Sequence, residues 1–221
     1  MCIISTVCKK SSIMTVVLLG QTGSGKSACG NTILGNSVFR SSMSSVPVTK
    51  MCEVQDTVIS GINLRVIDTP DFFSEECKQP EKHIAECSKL SDIGHTVYLL
   101  VLQLGRFTEE EQETIKQIKK AFGDGVTAHT IILFTHKEEL RQGKLDKYVM
   151  NTDQRLQDII RQCGYRYHAF SNTVYDPQQV TELIEVIVKL QKDHLDINVV
   201  YPNYNEVKHG EKKNSSWCSV M

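Results

Sequence analysis

Apolar positions in this chain fall into short runs, separated by polar stretches with helical spacing. TVVLLG (15–20) is a β-branched apolar run that ends in glycine. EVQDTVIS (53–60) and INLRVIDT (62–69) flank Gly61 and predict a hairpin. HTVYLLVLQ, HTIILFT and YRYHAFS are three further runs of strand length. Helical patterns fill the gaps. TEEEQETIKQIKKAFG sets Thr108 and Glu111 at capping-box spacing, places Ile115, Ile118 and Phe122 on one face, and ends at Gly123. DPQQVTELIEVIVKLQ starts with Asp176 as cap and Pro177 in the first turn; Val180, Leu183, Ile184 and Ile187 form its stripe. Both stripes belong to a core. The alternation predicts an α/β domain: a mostly parallel central sheet with one antiparallel strand, and helices on both faces. There is no internal repeat.

Two segments break the pattern. Residues 35–52 are Ser-rich without clean periodicity, and residues 196–221 are polar without a sustained stripe. The reading is therefore an N-terminal arm (1–13), one domain (14–195) and a C-terminal tail (196–221), which suits a length of 221 residues. A net charge of -1 and a pI near 6.6 leave no basic stripe for nucleic acid. The longest apolar run, HTVYLLVLQL, is too short to span a bilayer. The opening MCIISTVCKKSS is apolar before it is basic, the wrong order for a signal peptide, and Cys2 stands where myristoylation needs glycine. None of the eight cysteines forms a C-x-x-C pair, which argues against zinc. Their even number permits disulfides, but the lack of a secretory signal favours free thiols in a reducing cytosol.

The strongest chemical signal is GQTGSGKS, residues 20–27, which fits G-x-x-x-x-G-K-[ST] between a strand and a helix. Gly20, Gln21, Thr22, Gly23, Ser24 and Gly25 would turn their backbone N–H groups inward around phosphates. The following helix N-terminus favours the same anion. Lys26 would reach the β- and γ-phosphates, and Ser27 would offer its hydroxyl to Mg²⁺. Asp68, closing a strand in IDTP, suits the Mg²⁺ water shell, although a strand-end Asp also forms turns. Thr49, in PVTK, is either a further oxygen for the metal or an ordinary loop threonine.

GQTGSGKSACGNTILG, VIDTPDFF, GHTVYLLVLQLGRFTEEEQETIKQIKKAFG, FTHKEEL and YHAFSN occur in that order. Together they resemble the GTPases of immunity-associated proteins (the GIMAP or IAN family), relatives of septins and the chloroplast Toc GTPases. The resemblance covers about residues 14–195, and LGRFTEEE with its amphipathic helix is its most specific part. It implies a P-loop GTPase domain that takes GTP or GDP with Mg²⁺. It also implies dimers or oligomers with nucleotide near the contact, and a role in lymphocyte survival or host defence. The family's contacts would fall on residues 20–28, ending at Ala28. Ser41 would line the entrance and Thr49 would be the switch threonine. His136, Lys137 and Glu138 would flank the base, with Asn172 on its other side.

Glu139 stands where [N/T]-K-x-D motifs carry Asp. That Asp accepts hydrogen bonds from guanine N1–H and the 2-amino group, each charge-assisted bond being worth roughly 1.5–3 kcal/mol. The longer Glu139 would weaken guanine binding while keeping the preference. Alternatively it is a helix-start acid, and specificity rests on backbone groups and Asn172. Two departures bear on hydrolysis. Asp71 replaces the glycine of D-x-x-G, bringing a charge near an anion unless it points away, and Phe72 cannot orient water. Slow turnover is expected. Arg106 is either an arginine supplied across a dimer or a surface residue paired with Glu109 or Glu110. These features leave two readings: a slow GTPase stimulated by dimerisation, or a GTP-loaded membrane scaffold with negligible hydrolysis.

The chain ends CSVM, which fits C-a-a-X with Cys218 as the prenylated thiol; the other reading is an unmodified polar tail. Prenylation would make the protein cytoplasmic and peripheral on the cytosolic face of a membrane, with oligomerisation supplying the avidity one lipid lacks.

Overall fold

A computed structural model describes residues 13–41, 49, 51–74, 77–90, 95–140, 144–174 and 176–192. The arm up to residue 12, the domain end at 195, the tail and Cys218 lie outside the described residues. Six strands form one sheet: β1 (Met14–Leu19), β2 (Glu53–Ile59), β3 (Ile62–Asp68), β4 (Thr96–Gln103), β5 (Thr130–Thr135) and β6 (Tyr167–Ala169). Their order is β2-β3-β1-β4-β5-β6. β2 runs antiparallel to β3, and the other pairings are parallel. The expected hairpin turns at Ser60 (φ 49°) and Gly61 (φ 75°), two left-handed residues whose twist matches the flanking strands.

Helices α1 (Lys26–Leu34), α2 (Pro80–Leu90), α3 (Glu109–Phe122), α4 (Leu145–Asn151), α5 (Gln154–Gln162) and α6 (Pro177–Lys192) cover both faces. Strand alternation assigns the faces. Met14, Val16 and Leu18 of β1 pack with Cys29 and Ile33 of α1 and with Leu183, Ile184 and Ile187 of α6. Val17 and Leu19 point the other way, into a cluster with Ile115 and Ile118 of α3 and Leu156 and Ile160 of α5. Every residue of β1 is buried, as a sheet covered on both sides requires. The expected capping box of α3 is present, with Thr108 and Glu111 bonding each other's backbone N–H. Asp176 Oδ1 accepts from Gln178 N–H at 3.0 Å, the expected cap of α6.

The parallel strands end at one edge of the sheet, at Leu19, Asp68, Gln103, Thr135 and Ala169, with β4 running three residues past the end of β1. Chain connections diverge to either side of β1 there, the position at which open α/β sheets hold ligands. Cys29, Cys52, Cys77 and Cys163 carry thiols outside any disulfide. Among the described residues, no helix is long and apolar enough to cross a membrane.

Candidate functional site

The loop from β1 into α1 is shaped by its glycines. Gly20 (φ 143°) has no room for a side chain, since a Cβ would stand 2.6 Å from Val101 O. Gly25 caps α1 in a left-handed conformation (φ 99°), and a Cβ there would meet Thr135 Cγ2 at 3.0 Å. Lys26 is 7% exposed, and its Nζ donates to Gly20 O and Gln21 O, both at 2.9 Å. Burial pushes its pKa down, while the carboxylates of Asp71 and Asp68 push it back up. A desolvated ammonium at the mouth of a turn is a site that an anion would complete.

The three residues read as metal ligands converge. Ser27 Oγ donates to Asp68 Oδ2 at 2.6 Å, Thr49 Oγ1 donates to the same oxygen at 3.3 Å, and the two hydroxyls lie 3.3 Å apart. Asp68 Oδ1 and Ser24 Oγ are buried with no hydrogen-bond partner among the described residues. Burial raises the Asp68 pKa, against the opposing pull of Ser27, Lys26 and Thr49. An orphaned carboxylate oxygen beside two hydroxyls is an all-oxygen donor set, and it fits Mg²⁺.

The far side of the site hangs from β5. Thr135 is buried, and its Oγ1 donates to Ser24 O at 3.0 Å, tying the strand end to the phosphate-type loop. His136 follows in a left-handed conformation (φ 61°), with Nδ1 3.1 Å from Thr135 Oγ1. Lys137 N–H donates to Phe170 O at 3.1 Å, so the loops after β5 and β6 are also joined. Lys137, Glu138 and Glu139 lie in one short 3₁₀ turn, 137–140. Glu138 and Glu139 are exposed, and Glu139 Oε2 lies 3.6 Å from where a Gly105 Cβ would stand, next to Arg106.

Asn172 sits beside this group, but its amide is engaged. Its Oδ1 accepts from Thr32 Oγ1 at 2.7 Å and its Nδ2 donates to Cys29 Sγ at 3.4 Å. With Ala28 and Ser41 it lines a groove of ≈ 720 Å³ along α1 that the residues of 136–139 do not line. Arg106 is exposed, and among the described residues no ion pair holds it to Glu109 or Glu110. Asp71 points toward the site: its Oδ2 accepts from Thr22 N–H at 2.7 Å. Phe72 is 3% exposed and belongs to the core.

Sequence reasoning missed three contributors. Thr135 bridges two loops, and nothing in TIILFT marks it. Phe39 is a core residue inside the irregular segment, and it was detectable as a large apolar side chain among serines. Asn31 clamps the backbone around Phe39, a contact that no local pattern announces.

A family model described as the AIG1 family matches residues 14–217. GTPase IMAP family member 8 of Mus musculus is 34% identical over 197 residues, covering 85% of this chain and 29% of that protein. Immune-associated nucleotide-binding protein 13 of Arabidopsis thaliana is 35% identical over 188 residues, covering 80% of this chain and 56% of the relative. The chain thus spans well under two thirds of either protein. Among solved structures, Toc33 from Arabidopsis thaliana in complex with GDP and Mg²⁺ superposes with a TM-score of 0.63 at 19% identity, over 82% of this chain and 85% of that one. A second structure reaches 0.65 at 19% identity, over 83% and 85%, and is described by the statement that dimerization is important for the GTPase activity of atToc33 and psToc159. At that identity the likeness is one of fold.

Proposed function

The chain belongs to the AIG1 family, and from that premise we propose that it is a Mg²⁺-dependent guanine-nucleotide switch with slow intrinsic hydrolysis. The observation that carries this reading is the convergence of Ser27, Thr49 and Asp68 beside the buried Lys26. That arrangement suits a phosphate chain with its metal and has no other evident use in the fold. Ser27, Thr49 and Asp68 would hold the metal, which when bound neutralises charge on the β- and γ-phosphate oxygens. Lys26 and the N–H groups of residues 20–28 bind and orient the phosphates. His136, Lys137, Glu138 and Glu139 address the base from one side, and Asn172 braces the other through α1. The guanine-nucleotide assignment draws support from the GDP and Mg²⁺ of the Toc33 neighbour and from the names of the AIG1-family relatives.

Slow hydrolysis follows from two residues. Phe72 is apolar and buried, so it orients no water. Asp71 faces the loop with a carboxylate where a backbone N–H would attract phosphate. Arg106 is exposed on the same rim and unpaired among the described residues, so it is available to a second copy of the chain. In trans it would stabilise transition-state charge, and this reading makes the dimer the hydrolysing species. The buried Phe72 equally favours a second reading, a nucleotide-loaded scaffold that oligomerises without turnover.

The deciding experiment titrates the purified chain with GTP, GDP and ATP in Mg²⁺, beside Glu139→Asp. Guanine nucleotides should bind and ATP should not, and Glu139→Asp should tighten guanine binding by about tenfold, or about 1.4 kcal/mol. Equal competition by ATP would remove the guanine reading.

A further inference from the structure

The turn after β3 carries an anion in an unusual place. Asp71 Oδ2 accepts from Thr22 N–H at 2.7 Å and from Thr22 Oγ1 at 3.3 Å. Its other oxygen accepts from Phe73 N–H at 3.2 Å, and its carbonyl accepts from Ser74 Oγ at 3.3 Å. Thr22 belongs to the loop whose N–H groups cradle phosphates. Asp71 therefore sets a carboxylate on a cradle N–H. A terminal phosphate draws on the backbone N–H groups of the same loop.

We propose that Asp71 is an internal surrogate for the terminal phosphate, so that the chain selects nucleoside diphosphate over triphosphate. The proposal rests on the nucleotide-binding reading above and adds the residue that sets the number of phosphates. Two anions cannot share one N–H donor without strong repulsion. A diphosphate leaves the Thr22–Asp71 contact intact. A triphosphate must expel the carboxylate first. The turn does not follow freely, because Phe72 is buried and stacks edge-on against Phe73 with centroids 6.1 Å apart. Triphosphate entry thus loads the 71–74 turn by repulsion, where a glycine would be drawn in by attraction. The difference between the two nucleotides is the release of one charge-assisted hydrogen bond, which is about ten- to a hundredfold in relative affinity.

The test measures dissociation constants for fluorescent derivatives of GDP and of the non-hydrolysable triphosphate GMPPNP, both with Mg²⁺. It compares the wild-type chain with Asp71→Asn and Asp71→Gly, each checked for a native melting transition. The wild type alone should favour the diphosphate by about tenfold or more, a measurement that needs no variant. Asp71→Gly should shift the ratio toward the triphosphate by about ten- to a hundredfold. Asp71→Asn keeps an acceptor but loses the charge, and should fall between. If all three chains bind both nucleotides in the same ratio, Asp71 is no surrogate and the nucleotide-binding reading survives. If the wild type binds neither nucleotide, both readings fall. Tighter triphosphate binding by the wild type, weakened in the variants, would make Asp71 a ligand and overturn the proposal.

Discussion

Gly30→Ala tests how firmly the segment after α1 is held. Gly30 is buried in the helix, and a Cβ there would stand 2.7 Å from both Cδ2 and Cε2 of Phe39 and 3.0 Å from Leu18 Cδ1. Phe39 is 2% exposed, and its backbone is clamped. Asn31 Oδ1 accepts from Phe39 N–H at 2.8 Å and Val38 N–H at 3.0 Å, while Asn31 Nδ2 donates to Phe39 O at 2.8 Å. Two effects oppose each other. Alanine in place of glycine inside a helix stabilises by about 0.8–1 kcal/mol. An extra methyl in a packed core costs about 1–3 kcal/mol. With the ring unable to swing away, the clash should win by up to ~2 kcal/mol. At about 2–4 °C per kcal/mol for a chain of this size, Tm should fall by up to about 8 °C. Urea and thermal unfolding followed by far-ultraviolet circular dichroism would read this. In a Phe39→Ala background the sign should reverse, with Gly30→Ala stabilising by about 1 kcal/mol. A gain in stability in the wild-type background would refute the clamp.

Asp68→Asn should separate fold from function. The buried carboxylate is costly to ionise, so the nucleotide-free chain should lose no stability, while Mg²⁺-dependent nucleotide affinity drops by about tenfold or more in titrations with and without chelator. A parallel loss of stability would contradict that account. Arg106→Ala should abolish the concentration-dependent part of hydrolysis, by about 10³-fold at high protein concentration, without changing GDP affinity. An unchanged and negligible rate would favour the scaffold instead. His168 Nε2 lies 2.8 Å from Gln179 O, and burial lowers its pKa below the ordinary 6.5. The unfolded chain then binds a proton before the folded one. Stability should be complete above pH 6.5 and fall as pH drops below it, and His168→Gln should flatten that slope in urea melts. The same slope in the variant would place the titration elsewhere.

The fold was legible because its signals are periodic. β1 reads as a continuous apolar run since both of its faces are covered, and α3 announces itself through Thr108, Glu111 and Gly123. The GQTGSGKS loop was legible for a different reason: its spacing encodes a backbone path with few alternatives. The short helices α4 and α5 were not singled out, having only seven and nine residues, although Leu156, Ile159 and Ile160 do set an apolar stripe on α5. Long-range contacts were the least legible. The direction of Asp71 depends on a partner 49 positions away, and the engagement of Asn172 on one 140 away. Sequence spacing carries no information about either. The one site-side clue that could have been used was Phe39, since a lone large aromatic in a serine-rich stretch has to be buried somewhere.

Thr135 has a consequence for anyone redesigning this site. Its hydroxyl holds Ser24, its methyl packs against Gly25, and the next residue opens the turn that carries Glu139. The loops after β1 and β5 are therefore not interchangeable cassettes. Grafting FTHKEEL onto another scaffold would carry along a threonine that tolerates only a bare backbone opposite it. Altering Gly25 would shift the turn carrying Glu139 without touching it. On the proposed function, a change of nucleotide preference would have to be engineered in both loops at once.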